Sequence, residues 1–123
     1  MTATRTAPGT RAARRTPAAA RAWIAGYLAL AVAGAAGTWY YNLQYQGGDY
    51  LGAWFANPAS SSAAVDVIVT AVVACLFYVR EGLRLRLRWT PVLVPLTFAV
   101  ALAFTFPLFL AVREWRLART PSA

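Results

Sequence analysis

One acidic residue, Asp66, lies inside a long apolar stretch of the sequence, between Val65 and Val67. An ionised carboxylate inside an apolar helix costs at least ~2.5 kcal/mol, so it must be protonated, hydrated or paired. A carboxyl group kept protonated by its surroundings could donate a proton to an apolar substrate. A paired carboxyl would instead hold neighbouring helices together. Asp66 is therefore the candidate acid, although no catalytic residue is assigned.

Polar partners for Asp66 are predicted from helical spacing, because residues four apart lie on one face of a helix. Each of three apolar segments carries such a stripe of small and polar residues. The stripes are Gly26, Leu30, Gly34, Thr38 and Asn42; Ser62, Asp66 and Thr70; and Thr97, Ala101, Thr105, Phe109 and Arg113. Depth counted from the outer helix ends predicts one outward-facing polar site. Its residues are Thr38, Asn42, Asp66, Thr105 and Arg113.

Aromatic residues and a proline are expected near the mouth of this site. The possible lining residues are Tyr41, Trp54, Phe55 and Pro107. A proline inside a helix leaves the carbonyl four residues earlier without its hydrogen bond, so the Ala103 oxygen is predicted to lie beside Asp66. The aromatic residues also fit the belt found where membrane proteins meet water, and this simpler interpretation is favoured.

Composition excludes several classes of site. The chain has twelve arginines, no lysine, four acids, one cysteine and no histidine. Zinc centres, disulfide frameworks and histidine-based triads are therefore not expected, and neither is a metal or any other cofactor. The formal net charge of +8 would suit nucleic acid, but the arginines flank apolar segments. The expected partners are therefore the lipid bilayer and its anionic headgroups, with no nucleic acid.

The elements that must position these residues are three apolar segments of about 20 residues, the length that spans a bilayer as a helix. They cover about residues 23–42, 59–80 and 91–112 of a chain with 59% hydrophobic residues. The predicted fold is an all-α integral membrane protein with three transmembrane helices and a short interfacial aromatic segment between the first two. Residues 1–21 form a predicted disordered basic tail, 22–117 the membrane domain, and 118–123 a second tail.

Arginine placement predicts the orientation, because cytoplasmic loops retain positive charge. The tail before the first segment holds five arginines and the second loop holds four, whereas residues 42–58 hold none. These counts predict a bacterial cytoplasmic membrane protein with the N terminus inside and the C terminus outside. The second loop begins with a predicted charge cluster of Arg80, Glu81 and Arg84, in which Glu81 and Arg84 are at pairing distance on a helix.

Local signals mark the start of the second helix and leave the first open to a second interpretation. Asn57 can cap a helix and Pro58 suits its first position. Residues 50–56 are predicted to form a turn or two of interfacial helix. The basic tail, the apolar run and Ala33-Gly34-Ala35 also fit a cleaved signal peptide, which would leave two spans. Retention is preferred because the apolar run continues to Tyr41.

A set of short motifs resembles a known family. These are Asn42, Phe55-Ala56-Asn57-Pro58, Asp66, Glu81 with Arg84, and Pro107-Leu108-Phe109-Leu110 followed by Arg113-Glu114. Over about residues 23–115 the chain resembles a bacterial family of small three-helix membrane proteins classed as a domain of unknown function, DUF2834. The resemblance implies three spans and these polar positions, and it implies no mechanism.

Three functional hypotheses follow. The first is an accessory, structural or complex-forming membrane subunit, as a homo-oligomer or in a larger complex, whose polar core joins the helices. Ala29, Ala33 and Gly37 would give it a second close-packing surface. The second is a membrane-embedded enzyme or binder for a terpenoid- or lipid-like substrate, with Asp66 as the acid. The third is an oligomeric transporter or pore. The non-enzymatic hypothesis is preferred.

Overall fold

The first helix, α1, occupies residues Pro17–Gln44 in the computed structural model, which describes residues 16–120. Thr16 caps it by accepting a hydrogen bond from the Ala19 amide, and Pro17 stands in the first turn, where its missing N–H costs nothing. The helix therefore begins inside the segment predicted as a disordered tail. The rest of that tail, residues 1–15, lies outside the described part of the chain.

The aromatic segment and the second long helix form as predicted. α2 is a short helix at Tyr50–Trp54, capped by the Asp49 carboxylate on the Gly52 amide. α3 spans Pro58–Arg84. Asn57 and Ser60 form a reciprocal capping box at its start, with each side chain bonded to the other's backbone amide. The predicted roles of Asn57 and Pro58 are thus confirmed.

α3 ends in a Schellman motif, the two-bond arrangement that closes many helices. The Leu87 amide donates to the Gly82 carbonyl at 2.7 Å and the Arg86 amide to the Leu83 carbonyl at 3.1 Å. Thr90 then packs directly on Gly82, where a Cβ at residue 82 would lie only 2.7 Å from the Thr90 Cβ. The chain therefore turns back onto α3 directly after the helix ends, and it contacts the helix at Gly82.

The third apolar segment is not one helix, which corrects the prediction of a span over residues 91–112. A 3₁₀ turn at Thr90–Val92 leads into α4, Leu93–Ala99, and the chain breaks at extended Ala101 before α5, Leu102–Arg119. Residues 16–120 hold helices and turns and no strand. Two helices, α1 and α3, are long and apolar enough to cross a membrane.

α4 and α5 form an antiparallel hairpin that packs on α3. Thr97 and Thr105 meet across the hairpin at 2.9 Å. Leu93, at the start of α4, and Phe109, in the middle of α5, join Tyr78 of α3 in the buried core. The physical reason for the break is therefore tertiary: folding back lets both halves of the segment reach the same part of α3.

α1 packs along α5, and the two helices approach most closely at Gly34. A Cβ at this position would lie 2.7 Å from the Ala103 Cβ. Ala31 and Ala20, which precede Gly34 on α1, are buried. α1 has nearly as many residues before Gly34 as α5 has after Ala103. Antiparallel packing therefore places most of the two helices side by side. Small side chains allow this close approach.

The C-terminal ends of α3 and α5 lie side by side. Arg113 Nε bonds Glu81 Oε1 at 2.7 Å, and Arg116 Nε donates to the Leu85 carbonyl at 3.3 Å. The prediction placed the loop after α3 and the C terminus on opposite sides of a membrane. In the structure the two lie at the same end of the molecule, because the hairpin returns the chain to the end from which it left α3.

Candidate polar site

Three hydroxyl groups form a buried cluster between α3 and the hairpin. The Tyr78 hydroxyl donates to Thr105 Oγ1 at 3.2 Å, and Thr105 Oγ1 lies 2.9 Å from Thr97 Oγ1. Both threonines also bond backbone carbonyls one turn earlier, those of Leu93 and Ala101. All three side chains are buried, so the cluster joins α3, α4 and α5 through groups shielded from solvent.

Proton counting shows that this cluster is short of donors. Each hydroxyl carries one proton, and four contacts compete for the three available. The Tyr78 proton has threonine hydroxyl oxygens as its acceptors: Thr105 at 3.2 Å, with Thr97 beside it. The threonine protons can point to each other or to the carbonyls. The tyrosine hydroxyl is therefore the member whose donation is fixed.

Tyr78→Phe and Thr105→Val should differ in cost. Removing the tyrosine hydroxyl loses one buried hydrogen bond and should lower the unfolding free energy by about 1 kcal/mol. Thr105→Val should cost more, about 1–2 kcal/mol, because it removes the bonds of Thr105 Oγ1 to both Tyr78 and Thr97. Unfolding in mixed detergent measures both. Tyr41→Phe is the control, since Tyr41 is 72% exposed, and equal effects of the two cluster variants would contradict this account.

A second polar group, an ion cluster, lies one turn further along α3. Glu81 Oε1 accepts from Arg84 Nη2 and from Arg113 Nε, both at 2.7 Å. The Glu81 side chain is 10% exposed, Arg113 is 27% exposed and Arg84 is 63% exposed. The predicted Glu81–Arg84 pair is therefore present, but the less exposed partner is Arg113, on another helix. Arg80, the third predicted member, is exposed.

Glu114 adds a second buried carboxylate beside this cluster. Its Oε1 lies 3.8 Å from Arg113 Nη1, and its side chain is 6% exposed. Arg113 thus lies between two carboxylates that come from α3 and α5. A guanidinium has donors enough to serve both.

The structure separates the five predicted site residues instead of bringing them together. Thr105 is in the hydroxyl cluster and Arg113 is in the ion cluster. The Asn42 side-chain oxygen accepts from the Tyr50 hydroxyl at 2.6 Å and so joins α1 to α2. Thr38 is half-buried on α1 and Asp66 is exposed on α3. The Asp66 side chain makes no hydrogen bond or ion pair within residues 16–120.

The predicted lining residues are also dispersed. Tyr41 and Phe55 are exposed, and half-buried Trp54 packs its ring near that of Tyr50. Pro107 does lie inside α5, as predicted. However, the Ala103 carbonyl four residues earlier lies against Gly34 of α1, where a Cβ would overlap it, and not beside Asp66. The proline therefore frees an oxygen at the tightest helix contact, where Cα–H···O contacts are common.

Spacing placed Asp66 on the wrong face of α3. The buried residues of that helix are Ala64, Ala71, Ala74, Tyr78, Glu81 and Gly82. Asp66 is two residues from Ala64, ~200° around the helix. The signal that sequence reasoning missed is the heptad relation of Ala64, Ala71 and Tyr78, with Glu81 one turn later. Tyr78 is a polar-tipped residue on that face, and it could have been found there.

No binding site for a metal is formed by these groups. The part of the chain that the structure describes contains no cluster of three histidine, cysteine, aspartate or glutamate side chains. Cys75 is half-buried and unpaired at the edge of the Tyr78 core. The chemistry available at the α3–hairpin contact is therefore hydrogen bonding and charge pairing.

Comparison with known proteins gives one match. No curated protein and no solved structure is significantly similar to the chain. A family model, described as Protein of unknown function DUF2834, matches residues 27–115. The match includes most of α1, the whole of α3 and α4, α5 as far as Trp115, and both polar clusters. It covers most of the sequence, so the chain belongs to this family of unknown function.

Proposed function

We propose that the chain is a non-catalytic integral membrane subunit that assembles with a second copy of itself through the face of α3 that carries Asp66. The observation that carries the proposal is the exposure of this acid on an otherwise apolar surface. Val65, Val67, Ile68 and Val69 around it are exposed as well. In a bilayer a carboxyl group in such a place needs a polar partner.

Exposure of the long helices supports the membrane location. Only 11% of the most apolar window of α1 and 22% of that of α3 is buried within the molecule. The core helix of a water-soluble protein of this length would be mostly covered by its neighbours. Here the apolar surfaces face outward, as they do where lipid is the solvent. Packing of α1 along α5 supports its retention over its removal as a signal peptide.

Charge distribution supports an orientation with both termini in the cytoplasm. Every arginine of the chain lies in residues 5–21 or 80–119. α1 packs antiparallel on α5, and α5 contacts the end of α3. The arginines that the structure describes, from Arg21 onward, therefore lie at one end of the molecule. Positive charge is retained on the cytoplasmic side, which for this chain is the bacterial cytoplasm. This revises the predicted outside location of the C terminus.

A second copy is the partner that fits Asp66. The arginines lie at the other end of the molecule, so none of those described can pair with it. A protonated carboxyl group is both donor and acceptor, and two such groups related by a twofold axis satisfy each other. Ser62 and Thr70, one turn away on either side, extend the same exposed polar stripe. Ala29, Ala33 and Gly37 are exposed on α1 and offer a further close contact.

The enzyme and pore hypotheses both need Asp66 to line a cavity. A shallow cavity of about 340 Å³ lies at the loop after α3, and another of about 320 Å³ lies between α3 and α4. Neither includes Asp66. Thr105, which was expected to assist the acid, is bonded to Tyr78 and Thr97 instead. These observations favour the assembly role.

Native mass spectrometry from mild detergent tests the proposal. Wild-type protein should appear as a dimer or higher homo-oligomer. Asp66→Leu should shift it to monomer by raising the dissociation constant about tenfold, since an interhelical hydrogen bond in lipid contributes about 1–2 kcal/mol. Asp66→Asn, which keeps a donor and an acceptor, should remain assembled.

Val72→Leu is the control, because Val72 is exposed on the same helix but lies ~120° around it from Asp66, and it should leave the oligomer unchanged. Monomer stability should be the same in all variants, because Asp66 has no partner in the described monomer. A wild-type protein that is monomeric, or an oligomer that Asp66→Leu does not weaken, would contradict the proposal.

A further inference from the structure

The loop after α3 forms a basic cavity that neither polar cluster uses. Gly82, Leu83, Arg86, Leu87 and Arg88 line this opening of about 340 Å³. Arg86 and Arg88 make no ion pair within residues 16–120. The acids at this end are Glu81, held by Arg84 and Arg113, and Glu114 beside Arg113. The cavity therefore presents positive charge that no nearby carboxylate of the described chain neutralises.

Arg86 adopts an unusual backbone conformation at the wall of this cavity. Its φ is 57°, the left-handed region, and it is the one non-glycine residue with positive φ in the described part of the chain. It occupies the position after the α3 cap that glycine normally fills in a Schellman motif. A side chain kept at such a position despite the backbone cost points to a use for that side chain.

An apolar groove lies next to the basic cavity, between α3 and α4. Its walls are Val72, Cys75, Leu76 and Val79 from α3, with Val94 and Phe98 from α4. All these groups are apolar or a thiol, and the groove has a volume of about 320 Å³. It opens to the surface of the molecule, where lipid would surround the proposed membrane domain.

The groove and the cavity lie along the same face of α3. Val72, Cys75 and Val79 line the groove, and Gly82 and Leu83 line the cavity one turn further on. These residues recur at intervals of three and four, the spacing of a single helical face. Val72 to Gly82 spans about 15 Å at 1.5 Å per residue. That distance is half of the ~30 Å hydrocarbon thickness, the depth of one leaflet.

We propose that this combined surface binds one anionic phospholipid of the cytoplasmic leaflet. Arg86 and Arg88 contact the phosphate, and an acyl chain lies in the groove between α3 and α4. Charge complementarity selects an anionic headgroup, because a basic pocket beside a membrane helix attracts such lipids. The adjoining groove distinguishes a lipid from a free phosphate ion, since only a lipid fills both parts.

Native mass spectrometry of the full chain in nanodiscs measures the binding. The discs contain phosphatidylcholine with a minor fraction of phosphatidylglycerol, and the phosphatidylglycerol that stays on the released protein is counted. Wild type should retain one molecule in preference to phosphatidylcholine. Arg86→Gly and Arg88→Gln should each weaken retention at least fivefold. Arg119→Gln is the matched control, because Arg119 lies over the Trp115 ring away from the cavity, and it should retain lipid normally.

Two further arms separate binding from folding and lipid from phosphate. Arg86→Gly should raise the unfolding temperature, because glycine relieves the left-handed strain, so lost retention in this variant is not lost folding. Cys75→Phe fills the groove and should reduce retention while Arg86 and Arg88 are intact. Excess inorganic phosphate should not displace the lipid.

Several results would overturn the proposal. Equal retention of the two lipids would show no headgroup selection. If Arg119→Gln reduced lipid retention as much as Arg86→Gly and Arg88→Gln do, the result would show only a general effect of positive charge. Displacement by inorganic phosphate would assign the cavity to a free anion, and undiminished retention in Cys75→Phe would exclude the groove.

Discussion

Gly34→Val should separate α1 from α5 and lower the unfolding free energy by about 3 kcal/mol, at the upper end of the usual cost of overpacking. A Cβ at residue 34 would lie 2.6 Å from the Ala103 carbonyl carbon and 2.7 Å from its Cβ. The first of these atoms is backbone, so no rotamer change removes the overlap. The helices must move apart along a contact that depends on small residues.

Unfolding in mixed detergent measures the loss, and hydrogen–deuterium exchange locates it. Amides of α1 and α5 should exchange faster, whereas those in the middle of α3 should not. Gly26→Val is the matched control, because a Cβ at Gly26 meets nothing within 4 Å. It makes the same change on the same helix two turns earlier. Equal destabilisation by the two variants would mean that helix propensity, and not the contact with Ala103, sets the cost.

Glu81→Ala should be the second most damaging change, at about 2 kcal/mol. It leaves Arg113, a partly buried guanidinium, without the carboxylate that joins α5 to α3. Loss of one partner from a fully buried pair costs about 3–5 kcal/mol. The loss of unfolding free energy expected here is lower because Arg84 is 63% exposed, so its interaction with Glu81 is screened by solvent. Glu114, near Arg113, compensates for part of the loss.

A double-mutant cycle isolates the contact between the two helices. If Glu81→Ala and Arg113→Ala remove the same interaction, the double variant should be less destabilised than the sum of the single ones. Arg80→Ala is the control, since Arg80 is an exposed charged residue of the same helix and makes no ion pair in the described part of the chain. Strictly additive effects of Glu81→Ala and Arg113→Ala would show that the 2.7 Å contact contributes nothing to stability.

Local structure followed from local sequence wherever a few neighbouring residues decide the conformation. Asn57 and Pro58 predicted the start of α3, and the structure shows a capping box there. The aromatic segment became α2, and Glu81 pairs with Arg84 within one turn. Each of these features depends on side chains three or four positions apart. Spacing of that kind is readable without any tertiary information.

The side of α3 on which Asp66 lies could not be predicted in the same way. Every face of α3 near this residue is apolar or small, so the helix period alone did not say which side meets another helix. Polar residues were taken to face inward, as they usually do in a membrane bundle. The structure instead places small Ala64, Ala71 and Ala74 inward, because they allow the backbones to approach, and leaves Asp66 outside.

By itself, the sequence determined the helical class, the start of α3, the confinement of arginine to particular segments and the family. These depend on composition, caps and spacing. Only the tertiary structure decided that residues 90–119 form a hairpin and not one continuous helix. An apolar run of 22 residues has the same sequence pattern whether it forms one continuous helix or folds back as a hairpin. Both arrangements bury or expose the same kind of side chain. The choice depends on contacts that join distant residues, such as Thr97 with Thr105 and Arg113 with Glu81.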